Sequence, residues 1–238
     1  MWLPRQPGQA PDGPRPPRGD FLARQAHGRP RVINADGVSV PAPCEWDGRA
    51  LFAGNVADYK PFNFVDGEGV RCSLYVSGCP FRCPNCYNKA AQSFRYGRPY
   101  TTELEERILA NVAQPYVAGL SLLGGEPMLA TPILLPLLRR FRERFGAGEA
   151  ATRDVWVWTG YTYEQLLADT PDKRELLDLV DVLVDGPFIQ RLYHHDLAFR
   201  GSANQRIIDL RASRVHADLQ CSGVQYAAEP VLWRGGEY

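Results

Sequence analysis

VRCSLYVSGCPFRCPNCYN, residues 70–88, carries two signals back to back. The first half is rich in β-branched and aromatic residues and halts at Gly78, which predicts a strand over 70–78. The second half sets three of the chain's six cysteines, Cys79, Cys83 and Cys86, in a loop spaced C-x3-C-x2-C. A structural zinc site closes with four ligands, commonly as two paired knuckles. This loop supplies three, and no second C-x-x-C follows. Cys72 lies on the predicted strand, whose extended backbone carries it away from the loop. An iron–sulfur cluster admits another solution, with three irons on thiolates and a fourth left open, and an open metal position marks a catalytic site. Three buried thiols without metal are the bland alternative. A tight, polar loop containing Pro80 and Pro84 argues against it.

Working outward from that loop, strands and helices alternate. Residues 119–125 (GLSLLGG), 154–160 (DVWVWTG), 180–186 (VDVLVDG) and 205–210 (QRIIDL) predict further strands. Residues 101–113 predict a helix, with Thr102 and Glu105 as a capping box and Leu104, Ile108, Leu109 and Val112 on one face. A second helix falls within 132–145, with Pro132 suited to its first turn and Pro136 awkward inside it. Thr162 and Gln165 cap a short third, and 172–179 a fourth. Such alternation implies βαβ units and a mostly parallel sheet with outer helices. Parallel α/β sheets place their sites at the carboxyl ends of the strands. Here those ends are the cysteine loop, Gly124–Pro127, Thr159–Tyr161 and Asp185–Gly186, so four polar or glycine-rich turns are expected on one rim.

The chain has 238 residues, 45% hydrophobic and 23% charged, enough for one substantial core. A formal net charge of zero gives no electrostatic case for nucleic acid or an anionic membrane. No apolar run approaches the roughly 18–20 residues needed to span a bilayer, and the N-terminus lacks a secretory h-region. The expected location is the cytoplasm, where cysteines serve as ligands or plain thiols. Residues 1–31 hold seven Pro, four Gly and six Arg against two acids. The expected organisation is therefore a disordered extension over 1–49, with an edge hairpin around NADGVSV, a core over 50–211, and a tail over 212–238.

C-x3-C-x2-C after one strand and Gly-Gly-Glu-Pro after the next resemble the radical S-adenosylmethionine (SAM) superfamily. Within it, VDGEGVRCSLYVSGCPFRCPNCYN, GLSLLGGEPML, VWVWTGY, VDVLVDGPF and RGSANQRIIDL are similar to the activating proteins of anaerobic (class III) ribonucleoside-triphosphate reductases. These stretches cover most of residues 60–210. The resemblance implies a partial (β/α) barrel, in which Cys79, Cys83 and Cys86 ligate a 4Fe–4S cluster and SAM chelates the open iron. It implies that Gly124, Gly125 and Glu126 hold the methionine amino group through backbone oxygens, and that Asn85 and Tyr87 lie near the adenine. Thr159 and Asp185 would meet SAM or substrate from the rim, a strand-end or turn role being the alternative. The implied reaction is reductive cleavage of SAM to a 5′-deoxyadenosyl radical, which takes an α-hydrogen from a glycine of the partner reductase. The implied electron source is an external donor such as a flavodoxin.

Other residues weigh less. His194 and His195 read as surface residues, Trp156 and Trp158 as core packing on one strand face, and Arg200 as a SAM, partner or turn contact. The competing readings are an activase for another glycyl-radical enzyme of the pyruvate formate-lyase type, a small-molecule radical SAM enzyme, and a non-catalytic metal-binding module. The last needs a fourth protein ligand. Cys44→Ala, Cys72→Ala and Cys221→Ala are each expected to retain the cluster in iron and sulfide analysis, and loss in any of them would move the assignment to a closed, four-ligand site.

Overall fold

The structure, a computed structural model, describes residues 32–216, 224–227 and 229–235. Its elements in chain order are α1 (Gly48–Leu51), β1 (Asn55–Asn63), β2 (Val70–Val76), β3 (Arg98–Pro99), α2 (Thr102–Val112), β4 (Val117–Gly124) and α3 (Thr131–Phe145). There follow β5 (Asp154–Trp158), α4 (Tyr163–Leu167), α5 (Pro171–Asp178), β6 (Val182–Asp185), β7 (Arg206–Asp209), α6 (Leu210–Ser213), β8 (Arg214–His216) and β9 (Val224–Tyr226). No helix among the described residues is long and apolar enough to cross a membrane.

Seven strands form one open sheet in the order β3-β1-β2-β4-β5-β6-β7. β2, β4, β5 and β6 are mutually parallel and form the centre. Helical crossovers join them, as the alternating pattern predicts. The flanks differ. β7 pairs antiparallel with β6, because the connection over 186–205 is a loop with a single 3-10 turn and no covering helix. β1, which the sequence pattern does not reveal, pairs antiparallel with β2. Its NVADYKPFN reads poorly as a strand because of Pro61, which the structure accommodates within an irregularity between Lys60 and Asn63.

Local chemistry explains the helices. α2 is capped by Thr101, whose side chain accepts from the Leu104 amide, and not by Thr102: Thr101 is the residue with extended backbone. The Glu105 carboxylate is used elsewhere, by Tyr100 and Arg140. The Thr162–Gln165 capping box of α4 forms as expected. α3 starts at Thr131 with Pro132 in its first turn, and Pro136 sits inside it. Pro136 is solvent-exposed and forfeits only the bond that would reach back to residue 132. The opposite side of α3 buries Leu134, Leu137, Leu138, Phe141 and Phe145, each worth about 1.5–3 kcal/mol in removed apolar surface.

The sheet has two unlike faces. Val155, Val157 and Leu183 enter the main core with the helices. Trp156, Val182 and Val184 face the other way, where Trp158, Phe199, Ile207 and Trp233 join them in a second, smaller core. On this inner face Arg71 is fully buried, donating to Ser121 and the Leu120 carbonyl and pairing with Asp154 at 2.6 Å. Residues 32–49, assigned by composition to the extension, pack on the core. Ile33 and Ser39 form an antiparallel bridge around the expected turn, Val38 is fully buried, and the Trp46 carbonyl accepts from buried Lys173 at 2.6 Å.

Asp181 ties the helical layer to the strand ends, accepting from Arg142 at 2.6 Å, Arg211 at 2.6 Å and the Val155 amide at 2.7 Å. Asp181→Ala leaves the Arg142 guanidinium nearly buried and unpaired, and should lower unfolding free energy by about 3–5 kcal/mol in urea titration. Asp36→Ala, which removes an ion pair to the exposed Arg191 side chain, should leave the midpoint unmoved.

Candidate metal centre

The cysteine loop is stitched to the sheet at its start. The Gly78 amide donates to the Ala91 carbonyl at 2.7 Å and the Cys79 amide to Gln92 at 3.1 Å, closing the loop on itself. The Gly78 carbonyl accepts from the Glu126 amide at 2.8 Å, and the Gly125 amide donates to Val76 at 2.7 Å, so the turns after β2 and β4 are bonded to each other. Between the cysteines the chain reverses at Arg82 (φ 52°) and Asn85 (φ 55°). Phe81 anchors the reversal. It is buried, with its ring edge-on to Tyr161 at 5.1 Å and Trp46 at 4.9 Å.

The result is a cavity of about 160 Å³ onto which Cys79, Cys83 and Cys86 all open. Its other walls are Gly124, Gly125 and Glu126 after β4, Thr159 and Gly160 after β5, and Gly186 and Pro187 after β6. The four strand ends named from the sequence thus meet. Both glycines are required by geometry. Gly124 has φ +104°, and a Cβ there would stand 2.8 Å from the Tyr75 Cα, while a Cβ on Gly125 would stand 2.6 Å from the Gly78 carbonyl oxygen.

Glu126 and Thr159 are joined within this wall as a unit. The Glu126 carboxylate accepts from the Thr159 hydroxyl at 2.7 Å, the Gly160 amide at 2.8 Å and the Met128 amide at 3.0 Å. Burial pushes its carboxyl up to about 7, against the pull of these three donors. Asp185 does not line the cavity. Its carboxylate accepts from the Tyr163 amide at 2.8 Å and from Arg206, the strand-end role that its position allows.

A second cavity of about 520 Å³ adjoins the first, sharing Cys86, Asn88, Trp158, Phe188 and Gln205. Asn85 and Tyr87 line it, and Tyr87 is fully exposed at its lip. Sequence reasoning missed Asn88, Phe188 and Gln205, and took Trp158 for core packing alone. Trp158 does stack on Trp156 at 5.7 Å, yet its other side borders both cavities. The signal available for Trp158 was its position as the last residue of a strand bound for the rim. Arg200 donates to the Gln205 carbonyl at 3.0 Å, within its own turn.

The donor set fits an iron–sulfur cluster. Burial holds the Cys79 thiol well above its ordinary value and pushes Cys83 up to about 11, so metal binding must displace protons from them. Among the described residues, the set of three His, Cys or carboxylate groups whose ligand atoms lie within 4.8 Å of one another is His194, His195 and Asp196, on the exposed surface. The three cysteines are spread more widely than that. Sulfurs about a single zinc stand only ~3.8 Å apart, for Zn–S bonds of ~2.3 Å. Cys72 is buried on β2, its thiol donating to the Pro61 carbonyl at 2.9 Å, and Cys44 is exposed with its thiol directed at Ala168. Neither lines the cavity, and Cys221 lies outside the described residues.

Known proteins are similar to this chain in sequence. A family model described as a 4Fe–4S single cluster domain matches residues 65–208. An anaerobic ribonucleoside-triphosphate reductase-activating protein of Pasteurella multocida is 42% identical over 157 residues, covering 64% of this chain and 96% of the relative. Proteins of the same name from Escherichia coli (39% over 161 residues, 66% of this chain and 99% of the relative) and Vibrio cholerae (42% over 158 residues, 64% and 96%) are similar to it as well. With nearly the whole length of these relatives matched at about 40% identity, the chain belongs to the family of anaerobic ribonucleoside-triphosphate reductase-activating proteins.

Proposed function

We propose that the chain is a radical SAM activase that installs a glycyl radical on an anaerobic ribonucleoside-triphosphate reductase. The observation that carries this reading is the joining of two cavities. Three thiols and the Gly-Gly-Glu turn open on the first, and the second is large enough for a nucleoside and bears aromatic and amide side chains. A 4Fe–4S cluster held by Cys79, Cys83 and Cys86 would supply one electron at a time for the reductive cleavage of SAM, the oxidising fragment of which would be spent on the glycine α-hydrogen.

The chain's residues bind, orient and exclude water. Cys79, Cys83 and Cys86 hold three irons. Gly124, Gly125 and Glu126 present backbone oxygens to the methionine amino group, with Thr159 keeping the Glu126 side chain fixed behind them. Asn85 and Tyr87 contact the adenosine from the lip of the second cavity, with Trp158 and Phe188 as its apolar walls. Asp185 acts at one remove, by holding Arg206 and the turn into α4. The open sheet, bounded by the strands β3 and β7, serves as the partial barrel whose inner face admits a protein segment. Residues 50–211 carry the chemistry, 1–49 and 212–238 are accessory, and a flavodoxin-type donor in the cytoplasm supplies the electron.

The test is anaerobic reconstitution with iron and sulfide, followed by dithionite and SAM and chromatographic detection of 5′-deoxyadenosine. The wild type should form it and Cys83→Ala should not. Gly125→Ala, which forces its Cβ on the Gly78 carbonyl, should retain iron yet cut formation by at least tenfold. A wild type that binds a cluster but never cleaves SAM would defeat the assignment.

A further inference from the structure

The open edge of the sheet is not bare. Residues 231–233 run along β7 as an added strand: the Asp209 amide donates to the Val231 carbonyl at 2.9 Å, the Trp233 amide to Ile207 at 3.0 Å, and Ile208 and Leu232 form an antiparallel bridge. The Val231 amide is held by the Ser213 hydroxyl at 2.8 Å. Trp233 turns inward, edge-on to Trp156 at 5.2 Å and Phe199 at 6.2 Å, and covers the small core of the inner face. The chain then crosses that face, and a Cβ on Gly235 would lie 4.0 Å from Glu68 on the loop before β2. The segment thus reaches from the last strand of the sheet to the loop before its second.

Three features set this segment apart. It lies beyond the residues 65–208 matched by the family model, and relatives aligned over nearly their full length cover only 64–66% of this chain. Its attachment to β7 is thin, two backbone bonds, with Val231 and Leu232 41% and 55% exposed. What it covers is an edge with free backbone groups beside an apolar face, the pair of features by which a sheet receives an extended peptide. That face is also next to the reaction cavity. Trp158, stacked on Trp156, is part of the cavity wall, and its indole donates to the Phe199 carbonyl at 2.7 Å. Gln205, immediately before β7, lines both cavities.

We infer that residues 231–233 form an intramolecular strap over the β7 edge and inner face, occupying the place where an extended segment of the reductase pairs, and that the reductase displaces it on binding. This rests on the activase reading above. A glycine has to reach the cavity on a segment released from its own fold, and the β7 edge offers such a segment backbone partners. The strap competes as a tethered ligand, so it lowers the apparent affinity of the partner by the fraction of molecules in which it is docked.

The experiment compares the reconstituted full chain, a chain ending at Ala228 and Trp233→Ala. Calorimetry measures binding to the anaerobic ribonucleoside-triphosphate reductase, and 5′-deoxyadenosine is assayed without reductase. Truncation should tighten reductase binding about tenfold, the loss of one partly buried Trp contact, with Trp233→Ala shifting the same way. Hydrogen exchange on the unaltered full chain is the second arm: the Trp233 amide should lose protection when the reductase binds, while the Asp209 amide of β7, re-paired by the incoming segment, should keep it. Unchanged or weaker binding by the truncated chain, or protection of the Trp233 amide retained in the complex, overturns the strap. Failure of every form to make 5′-deoxyadenosine overturns the activase reading instead.

Discussion

The hydrogen bond from the Glu126 amide to the Gly78 carbonyl is the constraint around which the site is organised. It binds the start of the cysteine loop to the turn after the neighbouring parallel strand, and the Gly125 amide reinforces it one residue earlier, on Val76. That contact leaves no room for a Cβ at Gly125, as the close approach of β2 leaves none at Gly124. The side chain of the same Glu126 then reaches across to Thr159 and Gly160, bringing the third strand end into register. One residue thereby links three turns, with its amide, its carboxylate and its place between them. A metal centre fed by a single irregular loop needs this, because the loop has no regular ladder to hold its thiols in position.

The sheet distributes labour between its centre and its flanks. Four parallel strands put every strand end that matters on one rim, and the helices that join them bury one face completely. The antiparallel strands at either side add no rim residues by crossover. They widen the sheet and leave its inner face bounded by an edge strand. That face holds fully buried Arg71 paired with Asp154, beside an aromatic group of Trp156, Trp158 and Phe199. A guanidinium so placed needs its carboxylate, hydroxyl and carbonyl partners all present, which makes the face rigid below the cavity.

The edge of β7 is where this design meets its usual hazard. An unpaired strand beside exposed apolar rings invites association with other chains. Here the chain's own later residues supply a strand and a tryptophan. The same physics that protects an edge makes it a docking place, and a short, half-exposed cover is one that a partner can replace.

Much of this was legible in the sequence. The five strands read from β-branched runs stopped by Gly or Asp, the main helices and the meeting of four strand ends all follow from local patterns, because buried parallel strands and amphipathic helices write their environment into their composition. Three features were not. β1 was hidden by Pro61, since its pairing depends on a bulge opposite β2. Trp158 read as packing, since alternation on a strand says which face a side chain takes but not that the face ends at a cavity. Asp185 was placed at the rim by its strand end, while its carboxylate is committed to Tyr163 and Arg206, partners 22 and 21 residues away. By itself the sequence determined the three-cysteine loop, the parallel centre and the glycines of the turn, because each rests on residues close along the chain. Tertiary structure alone decided the antiparallel flanks, the second cavity and the docking of residues 231–233, because each depends on contacts between segments whose separation no local pattern encodes.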